Sequence, residues 1–319
     1  GKSAEYYENL RKWKAETDHD MSFGWFGFWS GSGVALNNCM IGLPDSIHLI
    51  SVWGPWLPST LDDAKKADMK FVQEVKGTKV MACSFMEYIG QNITPKTTEG
   101  RESWGWIWEH KTSGCKNCVS ADAAERKRQI ELIEEYAKAL ADSVLQGGYD
   151  VLDIDYEPTW TNGELSNHKE NTEELVRALS KYLGPKSANP HTLLVIDGEV
   201  EKLTKETAPY LNYLIQQNYW DNQGATETQL NNRVNAVINA LVSDELSAEQ
   251  IMKMYFSTVN FESYAATGGG NYTSDDGSTT SRLEGHAEWQ PTYQDKKYPK
   301  GGYGSFHIEL EYVIADKNG

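Results

Sequence analysis

The sequence predicts an α/β fold, a single (β/α)8 TIM barrel that takes up residues 1–319 as one domain. Three observations point there. Apolar runs of strand length alternate with amphipathic helical patterns, the signature of βαβ units. Eight such strands can be read. The rival doubly wound sheet should show a G-x-G-x-x-G turn after its first strand, and Gly24, Gly27, Gly31 and Gly33 do not fit that spacing. No linker long enough to divide the chain stands out, and α/β barrels commonly run to about 250 residues or more as one unit.

The strands are read at Met21 to Trp29, Ile47 to Trp53, Lys79 to Phe85, Val151 to Glu157, Leu193 to Asp197, Tyr213 to Tyr219, Met252 to Val259 and Gly304 to Leu310. Between them lie helix signals. Thr60, with Asp63 three residues on, opens a helix ending near Gly77. Ser120 precedes one with Ile130, Ile133, Ala137, Leu140 and Val144 on one face, closed by Gly147-Gly148. Leu175, Leu179 and Leu183 mark a third, stopped by Gly184-Pro185; Thr226 and Gln229 read as a capping box before Leu230, Val234, Val237 and Leu241. The stretch from Thr267 to Ser281, rich in Gly, Ser and Thr, reads as a mobile loop between strands seven and eight.

Composition removes several function classes. With 30 Lys plus Arg against 46 Asp plus Glu the net charge is −16, so nucleic acid is not an expected partner. Mean hydropathy is −0.59 and no apolar run approaches the roughly 18 residues of a spanning helix, so no integral membrane segment is expected. A monomer is expected. Eleven Trp and 17 Tyr are many for so acidic a chain, and amphipathic aromatics suit a ligand with both polar groups and apolar faces, such as carbohydrate. Cys115 and Cys118 form a C-x-x-C with only His110 nearby, which favours a loop disulfide or idle thiols over zinc. No export signal is visible, and a chain beginning at Gly1 without Met is compatible with one having been removed. A secreted, periplasmic or cell-surface location is expected.

The run Gly147-Gly148-Tyr149-Asp150-Val151-Leu152-Asp153-Ile154-Asp155-Tyr156-Glu157-Pro158 is the most informative stretch. Strand alternation places Asp153, Asp155 and Glu157 on one face and Leu152, Ile154 and Tyr156 on the other. In a barrel the apolar set packs on the helices and the acids point inward. Inward acids about 7 Å apart along the strand are expensive to ionise together, so one must keep a proton. Glu157 stands nearest the C-terminal mouth, where barrel active sites sit, and is placed to deliver that proton. A solvated acidic edge strand is the bland alternative, disfavoured by Val151, Leu152 and Ile154 between two strong helices. A Mg²⁺ or Ca²⁺ site is a chemical rival, weakened by the lack of further acids at obvious strand ends. Neither metal nor cofactor is expected.

Asp150-x-x-Asp153-x-Asp155-x-Glu157 resembles the D-x-x-D-x-D-x-E signature of glycoside hydrolase family 18, the chitinases and endo-β-N-acetylglucosaminidases, and falls on the fourth strand as it does there. The resemblance implies a (β/α)8 barrel and substrate-assisted retaining hydrolysis, an exception to the usual two-carboxylate scheme. It implies Glu157 as acid and then base, with the carbonyl oxygen of the substrate's own 2-acetamido group as nucleophile. Asp155 would hold the acetamido N–H, Asp153 would share a proton with Asp155, and Tyr219 would bond the acetamido carbonyl. Asp150, of the other parity, would organise the strand. Gln217 and Asn218 are further polar candidates at the end of strand six.

Two departures bear on the branch of the family. The third strand reads Lys79-Val80-Met81-Ala82-Cys83-Ser84-Phe85 and lacks the usual S-x-G-G, and Asp155-Tyr156-Glu157 replaces the chitinase D-W-E. Most tryptophans fall at predicted strand ends: Trp25 and Trp29, Trp53 and Trp56, Trp104, Trp106 and Trp108, Trp160, and Trp220. Of these Trp25, Trp29, Trp53, Trp56, Trp106, Trp160 and Trp220 are expected to stack on sugar rings. The expected function is therefore an endo-β-N-acetylglucosaminidase cutting the GlcNAc-β1,4-GlcNAc core bond, with N-glycans or N-glycoproteins as partners. The alternatives are a chitinase of the same family, a non-catalytic glycan-binding barrel and a metal-dependent hydrolase.

Overall fold

A computed structural model describes residues 1–33, 38–94, 100, 103–105, 117–261 and 268–306. Eight strands close a barrel: β1 Met21–Phe26, β2 Leu49–Val52, β3 Lys79–Phe85, β4 Val151–Tyr156, β5 Leu193–Gly198, β6 Tyr213–Gln217, β7 Tyr255–Asn260 and β8 Gly302–Phe306. Every neighbouring pair is parallel, and β8 closes on β1 with Gly302 beside Met21 and Gly304 beside Phe23. Glycine is required there, since a Cβ on Gly304 would lie 2.2 Å from the Phe23 carbonyl oxygen.

The principal helices are α1 Ala4–Ala15, α2 Asp63–Glu74, α3 Ala123–Gln146, α4 Lys169–Leu179, α5 Glu227–Leu241, α6 Ala248–Met254 and α7 Arg282–Glu288. Their starts are capped: Asp62 accepts from the Lys65 amide and Asp122 from that of Glu125, so α2 and α3 begin two or three residues later than Thr60 and Ser120 suggest. Thr226 caps α5 by accepting from the Gln229 amide, while the Gln229 side chain accepts from Ala225. Between β5 and β6 only 3₁₀ turns intervene.

The strands differ from the sequence reading mainly at their ends. β7 begins at Tyr255 because Met252–Met254 completes α6, whose Ser247 and Gln250 form a capping box. The start of β8 lies two residues early, and its expected residues 307–310 fall outside the described residues. Within the stretch read as a mobile loop, Asn271–Thr273 and Thr279–Ser281 pair as an antiparallel hairpin.

Two apolar layers hold the barrel. The inner one includes Phe23, Trp25, Leu49, Met81, Val151, Val195, Ile215 and Phe256. The larger lies between strands and helices, where Leu152, Ile154 and Tyr156 join Val80, Ala82, Ile133, Leu140, Leu175 and Val234. Each fully buried aliphatic side chain contributes about 1.5–3 kcal/mol. The outer layer therefore carries most of the apolar stabilisation, and the inner face at the mouth is free to hold polar groups.

Candidate active site

That inner face carries the acids. Asp153 pairs in register with Cys83 on β3 and Val195 on β5, and Asp155 pairs with Phe85 and Asp197. Asp153 is fully buried, and its Oδ2 accepts from Trp25 Nε1 at 3.1 Å and Ser51 Oγ at 2.7 Å. Asp155 is 9% exposed, and its Oδ1 lies 3.5 Å from Gln217 Nε2. Glu157 is half-buried one residue past β4, close enough to Asp155 for each to shift the other's proton affinity. Tyr219 follows β6 with its ring stacked on Phe306 at 6.2 Å and edge-on to Trp25 at 6.4 Å.

Burial is the first cause of proton retention here. It raises the proton affinity of Asp155 and Asp197 well above the ordinary carboxylate range, with the Glu157 charge adding to Asp155 and the Asp153 charge to Asp197. Glu157 is raised by burial and by Glu199, against the opposing hydrogen bond with Asp155. Asp153 is raised by burial, opposed by its bonds with Asp197, Ser51 and Trp25. Burial likewise pushes Tyr219 up, so its hydroxyl stays a neutral donor.

A cavity of about 540 Å³ opens beside Asp155 toward β1–β3, lined by Gly27, Trp53, Trp56, Leu57, Phe85 and Asn92, with Cys83 at its wall. Around the mouth stand exposed aromatics: Trp160 at 71%, Trp220 at 59%, Phe28 at 55% and Trp53 at 44%.

The structure thus brings together Asp153, Asp155, Glu157, Gln217 and Tyr219, with Trp53 at the cavity and Trp160 and Trp220 on the rim. Other expected contacts lie elsewhere. Asn218 is fully buried and donates to Tyr255 and Ser257 while accepting from Arg233, because it has the opposite parity to Gln217 and faces the helices. Trp25 is buried beneath the acids as the donor to Asp153 and offers no face for stacking. Trp29 is tied to α2 through Asp68, with Lys65 over its ring. Trp56 lines the cavity but is 2% exposed and packs edge-on against Tyr149. Trp106 lies outside the described residues. Asp150 accepts from the Val80 amide and Gln73, so it does organise the strand.

Asp197, Ser51 and Cys83 were not singled out by the sequence reading. Asp197 had a signal: an acid closing the apolar run Leu193-Leu194-Val195-Ile196, with the parity of inward Val195. Gly198, at φ +111°, ends β5 where a Cβ would meet the Tyr156 carbonyl oxygen at 2.3 Å, which fixes Asp197 against β4. Among the described residues two side-chain groups are spaced closely enough for a cation. In Cys83, Asp153 and Asp197 one oxygen of each carboxyl is engaged, that of Asp153 by Trp25 and Ser51 and that of Asp197 by Gln217, while the other is buried with no such donor. In Glu16, Asp18 and His19 both imidazole nitrogens face backbone carbonyls. Cys39 and Cys83 are free thiols and Cys118 is disulfide-bonded; Cys115 lies outside the described residues.

A closed parallel barrel with paired acids on the fourth strand beside an aromatic-rimmed cavity defines a glycoside hydrolase. A profile of glycoside hydrolase family 18, BT1044-like, matches residues 2–317, and the chain belongs to that family. Among solved structures it is similar to a Glu-to-Gln variant of BT1044, at 28% identity over 97% of this chain and 87% of that one, TM-score 0.77. It is also similar in fold to an endo-β-N-acetylglucosaminidase from Cordyceps militaris, at 19% identity over 100% and 97%, TM-score 0.61. A variant of that enzyme was solved in complex with fucosyl-N-acetylglucosamine-Asn. A family 18 chitinase from Pseudoalteromonas aurantia shares the fold at 12% identity over 92% and 98%, TM-score 0.51. A search of curated protein sequences returned no match.

Proposed function

We propose that the protein is an endo-β-N-acetylglucosaminidase that hydrolyses the GlcNAc-β1,4-GlcNAc core bond of N-glycans with retention. The carrying observation is the buried Asp155 with half-buried Glu157 two residues on at the mouth, each shifting the other's proton affinity, and with Gln217 and Tyr219 beside them. The sugar whose bond is cut sits with its acetamido group between Asp155 and Tyr219. Its carbonyl oxygen attacks C1 as the glycosidic bond breaks, and Glu157 gives its proton to the departing oxygen. Asp155 accepts the acetamido N–H and stabilises the cationic oxazolinium. Water then adds to C1, Glu157 takes its proton back, and the ring reopens to the hemiacetal.

Two observations favour the N-glycan core over chitin. The β7–β8 connection contributes α7 and short hairpins, and an open mouth with separately exposed Trp53, Trp160 and Trp220 suits a branched ligand better than a linear polymer. The fucosyl-N-acetylglucosamine-Asn bound by the Cordyceps militaris enzyme is the product end of such a cut. The disulfide at Cys118 supports an oxidising, extracytoplasmic location. The test is product mass spectrometry on N-glycoproteins and chitin oligomers offered side by side. Protein retaining a single GlcNAc per site is the expected result; chitobiose from chitin, with every glycoprotein intact, refutes it.

A further inference from the structure

Asp197 takes no part in the reaction above. It is fully buried on β5 as the register partner of Asp155. Its Oδ1 accepts from Gln217 Nε2 at 3.2 Å, just as Asp153 Oδ2 is taken by Trp25 and Ser51. The other oxygen of each, Asp153 Oδ1 and Asp197 Oδ2, is buried and receives no N–H or O–H from any other side chain or amide. Yet a carboxylate oxygen of Asp153 and one of Asp197 lie within 4.8 Å of each other in this buried layer. Ionised carboxylates only accept, and two of them buried this close with no donor between them repel, so one must keep a proton that it can donate to the other.

We infer that Asp197 holds that proton through the working pH range and donates it to Asp153. It is thus a positioning residue that keeps Asp153 from competing with Glu157 for the proton of Asp155. The bonding pattern assigns the proton to Asp197. Asp153 has two ordinary donors and the Cys83 thiol, all of which favour its anion, whereas Asp197 has one amide. The groups facing Asp197 are Asp153, Asp155 and Glu157 from β4, Cys83 from β3, and Gln217 and Tyr219 from β6. None of these is a cation that would hold it ionised. With its free oxygen satisfied by Asp197, Asp153 has no need of the Asp155 proton, and that proton can pass between Asp155 and Glu157. The catalytic consequence rests on the proposed function; the protonation does not.

The experiment compares wild type with Asp197→Asn, which keeps shape and neutrality. Difference infrared spectra at pH 7 are expected to show one protonated-carboxyl band in wild type that the variant lacks. The alkaline limb of kcat on an N-glycan, where the Asp155–Glu157 pair loses its proton, is expected to stay where it is, because no charge has been removed. Were Asp197 ionised, the same substitution would delete a negative charge at the register position beside Asp155 and lower that limb by about one to two pH units. Asp197→Leu, which cannot donate, is expected to lower kcat about 10- to 100-fold at little change in KM, with Asn retaining most of it. An unchanged infrared spectrum, a lowered limb in Asp197→Asn, or a Leu variant as active as wild type overturns the inference. If no glycan is cleaved, the infrared band still decides, so failure of the proposed function is separable from failure here.

Discussion

Replacing Asp155 by Asn should make the protein more stable at neutral pH while removing most of its activity. Asp155 is 91% removed from solvent, its charge partners are Glu157 and Asp153, and the amide of Gln217 that donates to it is at 3.5 Å. Burial holds its proton on well above the ordinary range. The native state therefore binds more protons than the unfolded chain at every pH between the unfolded value, about 3.9, and the raised native one. The sign follows: this carboxyl costs nothing below about pH 4, and stability falls as pH rises through that window. Keeping one Asp protonated at pH 7 costs at most about 1.36 × (7 − 3.9), or about 4 kcal/mol. With an unfolding entropy near 2.1 cal/mol/K per residue over 319 residues, that ceiling corresponds to about 6 °C. Calorimetry of wild type and Asp155→Asn at pH 4, 6 and 8 is the assay. The Tm difference should be near zero at pH 4 and grow with pH to about 3–6 °C. A variant less stable than wild type at pH 8, or a difference independent of pH, refutes the reasoning.

Glu157→Gln should lower kcat about 10²- to 10⁴-fold with glycan binding kept, measured by turnover and by calorimetric titration; a variant keeping a tenth of wild-type kcat removes Glu157 as the acid. Trp53→Ala and Trp160→Ala should each raise KM several-fold through lost stacking of about 0.5–1.5 kcal/mol, with kcat little changed. Trp25→Phe should instead act on kcat and its pH profile, since Trp25 meets Asp153 and not the ligand. Dialysis against a chelator should leave turnover intact, and activity that vanishes and returns with Mg²⁺ or Zn²⁺ would transfer the chemistry to a metal.

The acid strand was legible because a period of two is rigid: once Val151–Tyr156 is a strand, Asp153 and Asp155 share a face and Leu152 and Ile154 take the other. The same rule, applied to Gln217 and Asn218, should have separated them, since adjacent residues cannot both face inward. Asn218 instead joins a buried network with Tyr255, Ser257 and Arg233 that no local pattern announces. Position at a strand end marked Trp25 and Trp29 as ligand contacts, but strand ends also need donors for buried acids, and Asp153 and Asp68 claimed those two indoles. Asp197 remained invisible as a partner because the relation that matters, its register with Asp155, is formed between strands about 40 residues apart in sequence. The boundary of β7 failed for a different reason. Met252–Met254 is apolar enough to extend a strand, and only the Ser247–Gln250 cap shows that it is the end of a helix.

The donors around the four carboxyl groups also explain why one strand can supply two kinds of acid. Desolvation acts on Asp153, Asp155 and Asp197 alike, and by itself would leave all three protonated. Trp25 and Ser51 break that equivalence at the bottom of the stack, where they make the anion of Asp153 affordable. Its charge then raises the proton affinity of Asp155 above it, against which Asp155 has the distant amide of Gln217 and the neighbouring Asp197. The mobile proton is thereby pushed up the strand toward Glu157, the acid nearest the ligand. A donor in β1 or β2 thus sets the charge of a group two positions up β4. It follows that substitutions at Trp25 or Ser51, which touch no sugar, should alter the pH dependence of the reaction more than those at the exposed rim.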